Sequence, residues 1–341
     1  MTRDQIDHII DTKAVPHPTD GIKLSETHIS WVVLTDHYVY KIKKPVKFDF
    51  LDFSTLEKRK YYCEQEVKLN QRLAPSMYLG ILPINRSGNA FKIEDNPGEV
   101  IDHAVLMKRM DGTKQLDLLL DNENVKTDAI IKLADKVSSF HQKAAIVPEG
   151  RDWKEIYREF EDIKSVQDFF VRHFDEAAGQ FIEELDRQAY QFLKANKERI
   201  AERNKSGFVI DGHGDLHTRN IFLLEEPVIF DCIEFNEDLR KLDKLNEIAF
   251  LCMDLERYGR FDLSKVFIGR YLSKMDAIEN KTDERLFLFY KLYRANVRMK
   301  IHAIEARAAD STDEQREKDM ELIRRYLELC KRYSKELKST G

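Results

Sequence analysis

Cysteine is scarce in this chain of 341 residues: Cys63, Cys232, Cys252 and Cys330 are all there are. None stands in a Cys-x-x-Cys pair, which removes a zinc ribbon, a redox motif and a disulfide framework, so a reduced, cytoplasmic protein is expected. Long hydrophobic runs are missing too. No stretch approaches the ~18 apolar residues that a membrane helix requires, and the opening Met1-Thr2-Arg3-Asp4-Gln5 lacks the apolar centre of a signal peptide. Neither sign of charge dominates, since 56 Lys and Arg against 61 Asp and Glu leave a net charge of -5. Partners among nucleic acids and membranes are therefore not expected. There is no internal repeat, no low-complexity linker and no Gly-x-x-x-x-Gly-Lys-Ser/Thr motif.

What remains is 42% hydrophobic and 34% charged, the composition of a soluble globular protein. The length exceeds the usual single core and predicts two lobes. Thr27 to Leu34 and His37 to Lys43 are rich in β-branched and aromatic residues, with Thr35-Asp36 suited to a tight hairpin. In the second run Val39, Lys41 and Lys43 share one face, while Tyr40 and Ile42 share the other. Ser54-Thr55-Leu56-Glu57 is a capping-box pattern that opens a helix ending before Pro75 and containing Glu64 and Glu66. Kinase-type enzymes use a strand lysine and a helix glutamate, here Lys41 and Glu66, to hold the α and β phosphates of a nucleotide. Lys43 and Glu64 are each two residues away and compete for those places.

Leu79 to Ile84, Ala90 to Glu94 and Val100 to Lys108 predict three more strands, separated by turns at Gly88 and Pro97-Gly98. Five strands and one helix would make a small lobe over residues 1–107. Residues 108–112 would be a hinge, with Lys108 to Met110 nominated to offer backbone groups to an adenine. From Leu116 onward periodic apolar residues predict helices, including Asp243 to Glu256, Ser264 to Met275, Thr282 to Ala308 and Asp313 to Leu337. The lobe they form would span residues 113–341. His141 reads as a hydrogen-bonded core histidine. Lys291, Arg294 and Arg298 fall on one helical face that could meet an anionic group, but they read first as a solvated basic face.

The sequence is organised around Gly212-His213-Gly214-Asp215-Leu216-His217-Thr218-Arg219-Asn220 and Asp231, which lies eleven residues beyond Asn220. This polar loop sits between the apolar segments Phe208-Val209-Ile210 and Ile221-Phe222-Leu223-Leu224, and Val228-Ile229-Phe230 then delivers Asp231. Three oxygen-bearing side chains should emerge from the ends of neighbouring strands. Phosphoryl transfer asks for a carboxylate near the acceptor hydroxyl, more oxygen ligands for Mg2+, and positive charge at the phosphates. Asp215, Asn220, Asp231 and Lys41 meet those needs, and magnesium's preference for hard oxygen donors suits the asparagine and aspartate. A metal-dependent hydrolase built on His213, Asp215 and His217 is a rival, although it leaves Lys41 and Glu66 unexplained.

The run His213-Gly214-Asp215-x-x-x-x-Asn220 with Asp231 resembles the aminoglycoside phosphotransferase family. The resemblance reaches from the Lys41 strand to about Ala249. Val39-Tyr40-Lys41-Ile42-Lys43-Lys44-Pro45 and Phe230-Asp231-Cys232-Ile233-Glu234-Phe235-Asn236 look like a bacterial subgroup of it. The resemblance implies an α+β, bilobal protein-kinase-like fold with a small, mainly antiparallel β-sheet N-lobe and a larger helical C-lobe. It also implies ATP and Mg2+ as cofactors and a small-molecule hydroxyl as acceptor. Asp215 would be the catalytic carboxylate, with His217 near the transferring phosphate or the acceptor; Asn220 and Asp231 would hold the metal. Lys41 and Glu66 would serve the nucleotide together with Lys108, Met110 and Ser30, the last in a hairpin that lacks the glycines of a protein kinase. Glu247 stands where the family places an acid that braces the catalytic loop, unless it is a solvated helix acid. His213 would anchor that loop. Some relatives carry a further C-terminal nucleotide-binding domain, which this sequence is expected to lack. A nucleotide-binding regulatory protein without transfer activity and a protein kinase remain alternatives.

Overall fold

The structure, a computed structural model, describes residues 1–48, 51–94, 98–308 and 311–339. Packing divides the chain into two units, one of Met1–Leu119 with Arg219–Leu239 and one of Leu120–Thr218 with Arg240–Gly341.

The first unit is built on a six-stranded antiparallel sheet. Its strands run in the order Lys23–Glu26, Ser30–Leu34, Tyr38–Lys43, Glu99–Lys108, Tyr78–Ser87 and Ala90–Ile93. Alternation along the strands decides what each face covers. Trp31, Val33, Tyr40, Ile42 and Ala104 pack on one side with Ile6 and Ile9. Val39, Val105 and Met107 pack on the other with Cys63, Met77 and Tyr78. Lys41 and Lys43 share the second face with Val39, and the Leu56–Asn70 helix carries Glu66 against it.

Two local readings are corrected here. The N-terminal third is not strand apart from one helix, because Arg3–Asp11 is helical with a reciprocal capping box between Thr2 and Gln5. Its apolar Ile6 and Ile9 are three apart, which supplies the buried stripe. The second helix is capped by Thr55, whose Oγ1 accepts the Lys58 amide hydrogen at 3.3 Å. Ser54 instead donates its hydroxyl to Asp52 Oδ1 at 2.5 Å. Pro97, half of an expected turn, lies outside the described residues.

The second unit is mainly helical. Its central helix, Lys244–Arg257, has every residue from Leu245 to Glu256 buried, the state of a helix wrapped on all sides. Lys281–Arg307, Phe261–Leu272 and Asp313–Ser339 pack around it. These ranges match the expected helices to within a few residues. The short apolar segments do not form one sheet, however. Val209–Asp211 pairs with Lys241–Asp243 in the second unit, while Ile221–Phe222 pairs with Val228–Ile229 in the first. With two or three residues each, the segments have too few ladder bonds for strand propensity to specify partners.

All four cysteines are buried and free of disulfides. No helix among the described residues is long and apolar enough to cross a membrane.

Candidate active site

In the first unit the strand register places Lys41 and Lys43 two residues apart on one face, and Glu66 projects toward them from its helix. Lys41 Nζ lies 2.8 Å from Glu66 Oε1 and 2.7 Å from Asp231 Oδ1. Lys43 Nζ lies 2.7 Å from Glu66 Oε2, also bonds Glu234, and sits 4.8 Å from the centre of the Phe53 ring. One buried carboxylate thus receives both lysines. Glu64 is exposed on the helix.

The two lysines differ in surroundings. The Lys43 side chain is 1% exposed and that of Lys41 is 16% exposed, while Asp231 keeps 43% of its side chain in solvent. Burial opposes both ammonium charges, but Asp231 and Glu66 hold Lys41, and Glu234 and Glu66 hold Lys43, above the ordinary lysine value. Burial would raise the Glu66 carboxyl, yet Lys41 and Lys43 outweigh it and bring the pKa down to about 2. Burial leaves Glu234 above its ordinary value despite Lys43.

Asp231 is held by its backbone as well. Its φ of 62° is left-handed, a conformation uncommon outside glycine that aspartate tolerates better than most. Its amide donates to the Tyr78 hydroxyl at 3.2 Å, and the next amide, of Cys232, donates to Asn70 Oδ1 at 2.9 Å. Asn70 Nδ2 in turn donates to the Glu66 carbonyl at 2.9 Å. The helix that presents Glu66 therefore also positions the segment that presents Asp231. Asn220, 6% exposed, accepts the Phe230 amide hydrogen on its carbonyl at 3.0 Å, which ties it to the residue before Asp231.

Three other expected residues are placed as follows. Ser30 is fully buried opposite Lys43 in the strand register, and its hydroxyl has no hydrogen-bond partner among the described residues. The Lys108 amide donates to the Met77 carbonyl at 2.8 Å. Met110 packs on the apolar cluster that holds Val39, Met107 and Val105.

In the second unit the loop from Gly212 to Thr218 is fastened to the buried central helix at both ends. Glu247 Oε1 accepts the amide hydrogens of His213 and Gly214 at 2.6 and 2.7 Å. Glu247 Oε2 faces His141 Nε2 at 2.8 Å, and His141 Nδ1 meets the Tyr271 hydroxyl at 2.7 Å. Burial would push the Glu247 carboxyl up, but these donors bring it to about 2. At the other end Asp254 Oδ2 accepts from the Thr218 amide at 2.9 Å and hydroxyl at 2.6 Å, while Arg257 bonds Oδ1 at 2.7 Å. Between these anchors His213 Nδ1 accepts the Asp215 amide hydrogen at 3.2 Å, and His217 Nε2 lies 3.2 Å from Asp215 Oδ2. Burial works against the Asp215 charge, but His217, Arg298 and His213 hold the carboxyl below the usual range. The loop therefore presents an ionised carboxylate with a third of its side chain, 35%, exposed.

Of the two readings of Glu247, loop brace and solvated acid, the geometry gives the first. His141 is a core histidine that completes the brace, and His213 anchors the loop. His213 Nδ1 meets the Asp215 amide and His217 Nε2 the Asp215 carboxylate, and the three do not converge as a metal-ligand set among the described residues. The basic face is a correction. Lys291, Arg294 and Arg298 are half-buried, because the long helix turns that face toward Glu256, Asn246 and Tyr326.

This arrangement can be set beside solved structures. A choline kinase from Cryptosporidium parvum Iowa II is 15% identical, covers 96% of both chains and superposes with a TM-score of 0.55. An aminoglycoside 2'-phosphotransferase-IIIa variant is 12% identical over 97% of this chain and 96% of its own, with a TM-score of 0.54. The fold is that of the choline and aminoglycoside kinases.

No family model matches the chain. Proteins of Mycobacterium tuberculosis and Mycobacterium bovis, described only as uncharacterized, are 33% identical over 289 residues, covering 83% of this chain and 55% of theirs. The chain thus spans about half the length of these curated relatives. Within this bilobal kinase-like fold, sequence reasoning passed over Asn70, Tyr78, Glu234 and Asp254. Asp254 had a signal: it is an acid seven residues after Glu247, behind the apolar run Ile248 to Met253. Glu234 is three residues beyond Asp231. Asn70 acts through two bonds to backbone groups and Tyr78 through one, and no spacing marks which distant amide they meet.

Proposed function

We propose that the protein is a small-molecule kinase that moves the γ-phosphate of ATP to a hydroxyl group. The observation that carries this reading is the Lys41 ammonium, held between Glu66 at 2.8 Å and Asp231 at 2.7 Å. A charge gripped by a buried glutamate on one side and a half-exposed aspartate on the other is aimed and still reachable, as a phosphate-binding lysine must be. Structures sharing the fold support a nucleotide, since a spectinomycin phosphotransferase was solved with ADP and an amicoumacin kinase with AMP-PNP and Ca2+.

Asn220 and Asp231 offer carboxamide and carboxylate oxygens, a donor set that fits Mg2+. When bound there, the ion would neutralise charge on the phosphate oxygens. The chain's own residues do the rest. Lys41 binds the α and β phosphates, and Glu66 keeps its ammonium pointed. Asp215 orients the acceptor hydroxyl and takes its proton. The hydroxyl oxygen then bonds to the γ-phosphorus, the bond from that phosphorus to the β,γ-bridging oxygen breaks, and ADP leaves with the electron pair. His217 donates toward Asp215 and steadies its ionised form.

The test is Asp215→Asn, assayed for Mg-ATP binding by calorimetry and for ADP release with a metabolite library. The wild type should bind Mg-ATP and release ADP with at least one acceptor; the variant should still bind but lose about a thousandfold or more in turnover. Binding without turnover in the wild type would instead support a nucleotide-binding regulatory protein. Radiolabel in polypeptide alone would indicate a protein kinase.

A further inference from the structure

The Lys281–Arg307 helix carries Lys291, Arg294 and Arg298 on one face, and their surroundings differ. Lys291 is neutralised by Glu256, 3.0 Å away. Arg294 and Arg298, both half-buried, have no carboxylate at ion-pair distance among the described residues. Arg294 Nε donates to the neutral Asn246 Oδ1 at 2.7 Å, and its guanidinium lies 4.7 Å from the centre of the Phe250 ring. The same ring is 5.3 Å from that of His217, whose Nε2 contacts Asp215.

Arg298 is held in a different way. Its Nη2 is 3.1 Å from His302 Nε2. A guanidinium only donates, so His302 accepts there and its proton sits on Nδ1, which faces Asp319 at 2.9 Å and Glu305 at 3.1 Å. Those carboxylates thus reach the histidine and not the arginine. The Tyr326 hydroxyl also bonds Arg298, and Asp215 lies near enough for each charge to favour the other.

Leaving two guanidinium ions half-desolvated and aimed by neutral groups is costly unless an anion meets them. Asp215 acts on both arginines, and Asp254 on Arg298 and Glu247 on Arg294, but Asp254 is already paired with Arg257 and Glu247 is bonded to His141 and two loop amides. An arginine fork matches the planar oxygens of a carboxylate or phosphate. We propose that the acceptor phosphorylated beside Asp215 carries an anionic group, a carboxylate or a phosphate, which Arg294 and Arg298 bind. This rests on the phosphotransfer reading above. The anionic group is unchanged in the reaction: the hydroxyl oxygen gains the γ-phosphoryl group, its proton passes to Asp215, and ADP departs. An amine acceptor would meet like charge at this place, so this chain parts from a choline or ethanolamine kinase in its substrate class.

The experiment is an ADP-release assay with matched acceptors. Each hydroxyl skeleton is supplied in neutral, amino, carboxylate and phosphate forms, to the wild type and to Arg294→Gln, Arg298→Gln, Arg294→Lys and Arg298→Lys. Turnover should favour the carboxylate or phosphate forms by tenfold or more in kcat/KM. Each Gln variant should raise the KM for that acceptor at least tenfold and change the KM for ATP less than twofold, with the Lys variants between. The Lys variants, checked for wild-type melting, keep the test valid where a Gln variant does not fold. Turnover confined to neutral or amino forms overturns this inference and leaves the kinase reading standing. A rise in the KM for ATP in place of that for the acceptor also overturns it, because the arginines would then serve the nucleotide. No ADP release with any acceptor overturns the kinase reading, and this inference with it.

Discussion

A Cβ built on Gly212 would stand 2.4 Å from Glu247 Oε2. The carboxylate that braces the loop therefore occupies the space of the missing side chain, and it cannot swing aside because His141 and the amides of His213 and Gly214 hold it. Gly212→Ala should lower stability by about 1 to 3 kcal/mol, read as a shift of the urea midpoint. Wild-type stability in this variant would show that the brace yields freely.

The two lysines on Glu66 should separate by substitution. Lys43→Met leaves Glu66 and Glu234 buried with half their positive charge gone and should cost about 3 to 5 kcal/mol. Lys41→Met removes a more exposed ammonium from a partner, Asp231, that water can reach. It should destabilise less while weakening Mg-ATP binding tenfold or more, seen by calorimetry beside thermal melts. Equal losses of stability would argue against distinct roles.

Acid should unfold the protein through its buried carboxyls. Glu66 and Glu247 are held at about 2, below the ordinary 4.5. A group depressed in the folded state stabilises above its unfolded value and loses that contribution as pH falls through the folded one. Stability should thus hold from neutral pH to about 5 and fall steeply between about 5 and 2, by on the order of 3 kcal/mol for each group. Glu247→Gln should flatten the slope in that window. An unchanged slope would mean that Glu247 is not ionised in the native loop.

The far end of the loop depends on Thr218. Thr218→Val keeps the shape but removes the 2.6 Å hydroxyl donation to Asp254. Bonds to charged acceptors contribute roughly 1.5 to 3 kcal/mol, so a loss of that size is expected in chemical unfolding. Turnover should also fall several-fold while the KM for ATP stays constant, since Asp215 is repositioned and Lys41 is not.

Much of this was legible in the sequence because it depended on strong local signals. The period-2 pattern around Lys41 gave the strand face, the capping pattern near Thr55 gave the start of the Glu66 helix to within one residue although that helix ends at Asn70 and not at Pro75, and the long apolar periods gave the C-terminal helices. Lys41 against Lys43 stayed open at that level because both lie on the same face, and the structure shows why neither excludes the other: one glutamate takes both. The pairing of Val209–Asp211 with Lys241–Asp243 was hidden because two- and three-residue strands are specified by what packs around them. The basic face was misread for a related reason: three cations at helical spacing look alike whether water or a buried helix faces them.

The central helix also acts as a ruler. Glu247 and Asp254 are seven residues apart, two helical turns or about 10 Å along the axis, so both acids leave the same side and meet the two ends of one loop. A single inserted or deleted residue between them would rotate the second acid by about 100° away from Thr218. Sequence drift in this stretch can change side chains but not their number, and the spacing from Gly212 to Thr218 is bound by the same measure.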